Sequence, residues 1–192
     1  TQSQNLIAWA EKAYDPRWEN RSYSVIKTFN IKTGRSKTLT KKTRFFAPDL
    51  SPNAEKIAAV EVTEDQKYRL VIFDSETGGL LKILDSPENR FLKTPSWSGD
   101  GKNIVVATIG DKGHNIWLAD ASSGEGRFLM DFTYADISHP VMHRNEVIFT
   151  GGWSGINNLY SLDITGGQIS KITSAKYGAS EPVFIYKEQE VC

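Results

Sequence analysis

The stretch Pro95-Ser96-Trp97-Ser98-Gly99-Asp100-Gly101-Lys102-Asn103-Ile104-Val105, followed by Asn115-Ile116-Trp117-Leu118-Ala119-Asp120 and closed at Gly124, decides the fold of this chain. A proline leads to a large apolar residue, a polar turn follows, and two short apolar runs flank a loop, which is the pattern of antiparallel strands. The closing turn, Asp120-x-x-x-Gly124, has companions at Asn30/Gly34, Asp74/Gly78 and Asp163/Gly167. Asp and Asn favour such turns because their side chains bond nearby backbone amides, and Gly takes a positive φ at no steric cost. Successive turns begin at 30, 74, 120 and 163, spacings of 44, 46 and 43 residues, so one structural unit has been repeated.

Aligning the copies on this turn brings other positions into register. Four residues before it stand Ile26, Leu70, Ile116 and Leu159, and five after its glycine stand Leu39, Ile83, Leu129 and Ile172. Each turn therefore lies inside a hairpin. Upstream, a proline precedes a large apolar residue by two at Pro48/Leu50, Pro95/Trp97, Pro140/Met142 and Pro182/Phe184. Proline suits the start of a strand because it has no N–H to leave unpaired. Apolar runs follow at Ile57–Val60, Ile104–Ala107 and Val147–Phe149. A repeat of about 45 residues with four strands predicts an all-β fold, the β-propeller. Sandwiches and barrels share short strands but do not demand the same residues at the same phase. Helical repeats are disfavoured by the Val, Ile, Phe and Trp content and the regular Gly, Pro and Asn punctuation.

The whole of 1–192 reads as one propeller segment, with blades at 6–43, 44–87, 88–133 and 134–176 and the start of another at 177–192. Leu6-Ile7-Ala8-Trp9 matches the second-strand runs, so the first unit is expected to lack its first strand, and a trailing first strand is expected at 180–186. Three units are complete and the terminal blade is split. The last strand could complete the first blade and close a small ring, but an arc of a larger ring is the expectation, because four blades sit at the low end of the range. An open arc exposes blade edges that favour self-association. The beginning inside a pattern, without Met, suggests that a signal or neighbouring domain has been removed.

Composition narrows the function classes. With 39% hydrophobic residues the chain can bury a core. Lys plus Arg balances Asp plus Glu at 23 each, and Lys41, Lys42 and Arg44 read as a solvated turn, so the basic footprint of a nucleic-acid binder is missing. The lone Cys192 permits no intrachain disulfide, and no run of 18 apolar residues offers direct membrane insertion.

The quoted signature, with Asn158-Leu159-Tyr160-Ser161-Leu162-Asp163-Ile164-Thr165-Gly166-Gly167 and Lys171-Ile172-Thr173 in the later unit, resembles the repeat of TolB-like β-propellers, a WD-repeat-like family of bacterial periplasmic and envelope proteins. The resemblance is specific in the middle units and weaker after Pro140, where His143-Arg144-Asn145-Glu146 replaces the usual turn. It implies a non-catalytic binding or scaffolding propeller in the periplasm or envelope, with a protein or peptide partner. The alternative is the gating propeller of a serine peptidase or other hydrolase whose catalytic domain lies outside this chain.

Chemistry is sparse. His139 and His143, four apart on a strand, stand about 13 Å from each other, too far to share an ion. Gly152-Trp153-Ser154-Gly155-Ile156 lacks the second phased glycine of a nucleophile elbow. Asp111, Asp131 and Asp136 show no calcium-loop spacing. No catalytic residue, metal ligand or cofactor is expected. The loops between second and third strands share one face with the inter-blade connections. Arg17, Trp18, His114, His139 and Trp153 fall on or near this face and are the candidate binding residues, joined by Tyr14 and Lys112. His114, in a glycine-containing loop, is expected to be solvated. Trp18 and Trp153 could instead fold back as lids, and Trp9, Trp97 and Trp117 are assigned to the core.

Overall fold

The computed structural model describes residues 1–15, 18–41 and 43–184, with residues 15 and 18–22 described in backbone only. Among the described residues sixteen strands form four antiparallel sheets of four. The first sheet comprises β1 (Gln2–Ser3), β2 (Leu6–Asp15), β3 (Trp18–Asn30) and β4 (Arg35–Thr38), and the second β5 (Phe45–Leu50), β6 (Lys56–Val62), β7 (Tyr68–Asp74) and β8 (Leu80–Asp85). The third comprises β9 (Phe91–Trp97), β10 (Asn103–Gly110), β11 (Gly113–Asp120) and β12 (Gly126–Phe128), and the fourth β13 (Ile137–His143), β14 (Glu146–Gly151), β15 (Asn158–Asp163) and β16 (Ile169–Lys171). Within each sheet the strands lie in chain order, and β5, β9 and β13 pack beside one another as the innermost strands of successive blades. This is a β-propeller arc.

The repeated turn behaves as its chemistry dictates. Gly34, Gly78, Gly124 and Gly167 take φ of 65°, 75°, 83° and 68°. Each donates its N–H to the Asx carbonyl four residues back, at 2.8–2.9 Å. The Asx side chains accept the amides inside the turn: Asn30 from Thr33 (3.0 Å), Asp74 from Thr77 (2.6 Å) and Asp120 from Ser123 (2.7 Å). The Ser122 hydroxyl and these amides hold the Asp120 carboxyl far below the usual range.

Between consecutive blades the faces are dry. Ala8 and Ile26 meet Leu50, Ile57, Val71 and Phe73 between blades one and two. Leu70, Ile72 and Leu84 meet Trp97, Val106 and Trp117 at the next junction, and Val105 and Ile116 meet Phe149 and Leu162 at the third. The middle strands are apolar at successive positions because both faces are covered.

Two polar devices also join the blades. The cation seven or eight residues past each of the first three Asx positions reaches a carbonyl of the next blade's turn: Lys37 to Glu76, Lys82 to Ser122 and, at 2.9 Å, Arg127 to Ile164. Near the axis, Asp49 accepts the Trp97 N–H at 2.8 Å and the Thr1 hydroxyl at 2.6 Å, and its carbonyl accepts the Trp97 indole N–H at 3.1 Å. Burial raises the Asp49 carboxyl above its ordinary pKa.

Several expectations are corrected. The first unit does have a first strand, the two-residue β1, which pairs Gln2 with Ile7 and Ser3 with Leu6. No strand forms over 180–184, and residues 185–186 lie outside the described residues, although the Glu181 N–H does reach the Thr150 hydroxyl at 3.1 Å. The prolines do not start strands: Pro48, Pro95 and Pro140 lie mid-strand, where the ladder shifts register. There two residues of the inner strand oppose one of its neighbour, a β-bulge, so a residue without an N–H leaves no donor stranded. Trp97 and Trp117 are buried, but Trp9 is only half-buried. Trp9 stands opposite Lys27 on the other face from Ala8 and Ile26, and its indole donates to Glu11 at 3.2 Å.

The turn glycines are not equivalent. A Cβ on Gly78 would stand 2.5 Å from the Leu39 carbonyl oxygen, whereas Gly34 has open space around it. Gly34→Ala is expected to cost about 1 kcal/mol from the left-handed backbone alone, and Gly78→Ala clearly more, about 2 kcal/mol or above. Chemical denaturation of the two variants beside the wild type measures the difference, and equal losses would show that the Leu39 contact relaxes freely.

Candidate functional site

The innermost strands repeat one unusual backbone feature. Ala47, Thr94 and His139 on these strands, and Glu181 in the segment that follows blade four, each precede a proline and each have positive φ, 48°, 43°, 49° and 57°. Non-glycine residues reach this region at a cost of roughly 1–2 kcal/mol, so the bulge is imposed by its surroundings. Its effect is to turn the N–H of the pre-proline residue out of the ladder. The His139 N–H goes to the Thr94 hydroxyl of the preceding blade, at 3.1 Å. His139 Nδ1 is then left buried with no hydrogen-bond partner among the described residues. A buried ring nitrogen without a partner is costly, about 1–3 kcal/mol, and a ligand can remove that penalty.

His114 is placed differently from its expectation. It is buried, 9% exposed, and lies between the third and fourth blades rather than in solvent. Its backbone pairs with Thr133 in both directions, and its Nδ1 accepts the Ile137 N–H at 3.5 Å. Asp136, bonded to Lys93 at 2.9 Å, stands 3.7 Å from the same nitrogen. Burial, then the positive Lys93, depress the imidazole pKa against the opposing pull of Asp136. His114 is thus a joint between blades, bonded directly to the strand that carries His139.

Trp153 combines both roles considered for it. Its ring meets Tyr160 edge-on at 4.7 Å and Phe149 at 5.8 Å, while 40% of the residue stays exposed. Gly151 permits this, since a Cβ there would stand 2.4 Å from the indole. Tyr14 is 71% exposed. Arg17 lies outside the described residues, and for Trp18 only the backbone is described, as the first residue of β3. The structure therefore brings His114 and His139 onto adjoining parts of blades three and four and sets Trp153 on the outer loop of blade four.

Arg90 was not singled out in the sequence. It is 2% exposed, with its guanidinium 4.5 Å from the Phe132 ring centre and 5.6 Å from Phe128. It donates to the Thr108 hydroxyl at 3.2 Å and to the Gly113 carbonyl, so it pins the loop that leads into His114. A Cβ on Gly110 would stand 2.8 Å from Arg90 Nη1. The glycine at 110 and the aromatic pair at 128 and 132 were the signals available. Among the described residues no three His, Cys, Asp or Glu gather as a metal site, and no helix is long and apolar enough to cross a membrane.

No protein-family model matches this chain, and no curated protein sequence matches it. Its fold does match solved structures. A putative TolB from Agrobacterium tumefaciens superposes with a TM-score of 0.70 at 16% identity, over 90% of this chain and 64% of the other. The β-propeller domain of the Trilobed protease from Pyrococcus furiosus gives 0.62 at 14%, over 90% and 55%. The acylaminoacyl peptidase of Pyrococcus horikoshii gives 0.66 at 14%, over 90% and 31%. These likenesses show the fold, a β-propeller like those of TolB and of the peptidases. The chain spans less than two thirds of each of these structures.

The depressed pKa of His114 fixes a direction for stability against pH. The unfolded imidazole titrates near 6.5, and the folded one below it, so the folded state binds fewer protons at mildly acidic pH. Stability is fully present above about 6.5 and declines as pH falls through the folded value. Denaturant midpoints at pH 7.5 and 5.5 are expected to drop more for the wild type than for His114→Gln. Equal drops would mean that His114 does not carry this linkage.

Proposed function

We propose that this chain is a non-catalytic, binding part of a bacterial envelope β-propeller of the TolB-like kind, engaging a protein or peptide along its innermost strands. The observation that carries this reading is His139. Its N–H is diverted to Thr94 and its Nδ1 has no partner among the described residues, so it offers an unused polar group on a strand held rigid by bulge and proline. A peptide N–H or hydroxyl could satisfy that nitrogen once the ring turns it towards the surface. Trp153, partly exposed on a rigid aromatic stack, has the character of an interface anchor. The periplasmic or envelope location rests on the resemblance to TolB-like repeats.

The second reading is a gating propeller beside a hydrolase domain. It is favoured by the superposition on the acylaminoacyl peptidase, of which this chain covers 31%. In that case chemistry belongs to another domain, and the inner strands would meet a peptide in transit rather than a resident partner. A Gly-x-Ser-x-Gly with Asp and His elsewhere in the same open reading frame would favour this reading.

Affinity capture from bacterial envelope extract separates binding from its absence. The wild type is expected to retain a partner that His139→Ala loses in large part and that the His139→Ala/Trp153→Ala double variant loses entirely, with all three equally folded by circular dichroism. Recovery of nothing by any of them, or equal recovery by all, would sink the binding proposal.

A further inference from the structure

The cleft between blades one and two, on the side of their Asx turns, gathers polar groups that the fold does not use. It has a volume of about 590 Å³, within the range of small-molecule sites. Thr28 lines it and is only 4% exposed. Along β3 and β4, Lys37 stands opposite Thr28, and Arg35 opposite Asn30. Thr28 pairs in turn with Ala8, whose side chain packs against blade two. Because side chains alternate along a strand, Thr28, Arg35 and Lys37 share the face that looks into the cleft. Lys32 lines it too, from the turn.

The charges there are unbalanced. Among the described residues neither Lys32 nor Arg35 pairs with a carboxylate, and Lys37 is held in place by the Glu76 carbonyl. Glu76 is the acid that lines the cleft. Nearby Asp74 feels the Lys37 charge, but its Oδ1 is already taken by the Glu76 and Thr77 amides and the Thr77 hydroxyl. Thr28 is only 4% exposed, and what is exposed includes its hydroxyl, which opens into the cleft and makes no hydrogen bond to any described residue. Water bonds such a hydroxyl when the cleft is open, and a polar atom of a ligand can take that water's place.

The repeat supplies the comparison. Two, five and seven residues past Asn30 stand Lys32, Arg35 and Lys37. The same phases hold Glu76, Gly79 and Leu81 in the second copy, Ser122, Glu125 and Arg127 in the third, and Thr165, Gln168 and Ser170 in the fourth. One of these positions serves the inter-blade strap in blades one and three. The other two cations in blade one serve no junction, so the first copy has departed from the repeat in one chemical direction.

We propose that this cleft binds a small ligand bearing an oxyanion group, with Arg35 and Lys32 on the anion and the Thr28 hydroxyl on a second polar atom of the same molecule. The planar guanidinium grips carboxylate and phosphate alike through paired N–H donors. The two sources of that oxyanion are separated by the probe.

The test titrates the ¹⁵N-labelled chain with citrate in one arm and inorganic phosphate in the other, at constant ionic strength, following backbone amide shifts. Saturable shifts confined to residues 28–37 and 53 are expected, with an apparent Kd of about 1 mM or tighter for one of the two probes, the tighter one naming the source. Arg35→Gln is expected to weaken that Kd about tenfold. Thr28→Val weakens it severalfold, while Thr28→Ser, which keeps the hydroxyl, binds as wild type. Lys67→Gln, a cation elsewhere in the second blade, leaves it unchanged. Thermal unfolding of each variant confirms that the fold is intact. Shifts that do not saturate and scatter over all surface cations, or undiminished binding by Arg35→Gln or Thr28→Val, overturn the assignment.

Discussion

The structure depends on covering both faces of each sheet. A strand such as Ile57–Val60, buried at all four positions, can exist only if apolar side chains meet it from both sides. Fully burying one Ile, Val or Phe is worth about 1.5–3 kcal/mol, so three dry junctions between four blades outweigh any polar contact in the molecule. The polar contacts do something else: they fix how the blades sit against each other. The Lys37, Lys82 and Arg127 straps reach carbonyls rather than acids. A carbonyl in a fixed turn gives a directional target, whereas exposed acid-base pairs contribute little and tolerate many geometries.

The inner strands show a second constraint. A blade must taper towards the axis, where its neighbours crowd it, and a bulge bends a strand and increases its twist. Placing proline inside the bulge avoids an unpaired donor, while the residue before it accepts a strained φ and turns its N–H aside. In blade four that diversion is satisfied by Thr94 of blade three. The same geometry that shapes the blades therefore sets His139 apart from the ladder with a nitrogen that no described residue bonds. Strain that surrounding structure enforces, next to an unsatisfied polar group, is the combination expected where a ligand completes the site.

Features carried by local chemistry were legible in the sequence. The Asx-x-x-x-Gly turn needs only its own side chain, its own amides and a residue free to take positive φ, and it appears four times as read. Trp97 and Trp117 lie in apolar runs and are buried. Features that depend on a neighbouring blade were not legible. His114 sits in a glycine-containing stretch that reads as solvated, yet Thr133, Ile137 and Arg90 enclose it from segments about 20 residues away in either direction. Trp9 reads as core because its run matches the buried second strands, but the match ignores which face has a neighbour. The prolines were read as strand starts, since a bulge is a relation between two strands and leaves no mark of its own on one.

Departures from the repeat are therefore the informative positions, and the two ends of the arc differ. At the outer strand of blade four, Ser170 stands opposite Ser161, while Lys171 pairs with Tyr160, whose ring lies in the core shared with blade three. Since paired residues share a face, Lys171 is on the blade-three side of its strand, and the position that would continue the strap series is a serine. In blade one the corresponding strand has a surplus instead, with Lys32 and Arg35 beside the strap lysine. A residue kept for packing must match its partners in every copy, because the partners recur. Cations that appear in one copy, beside a hydroxyl that opens into the same cleft, are released from that requirement and free to meet solvent or a ligand.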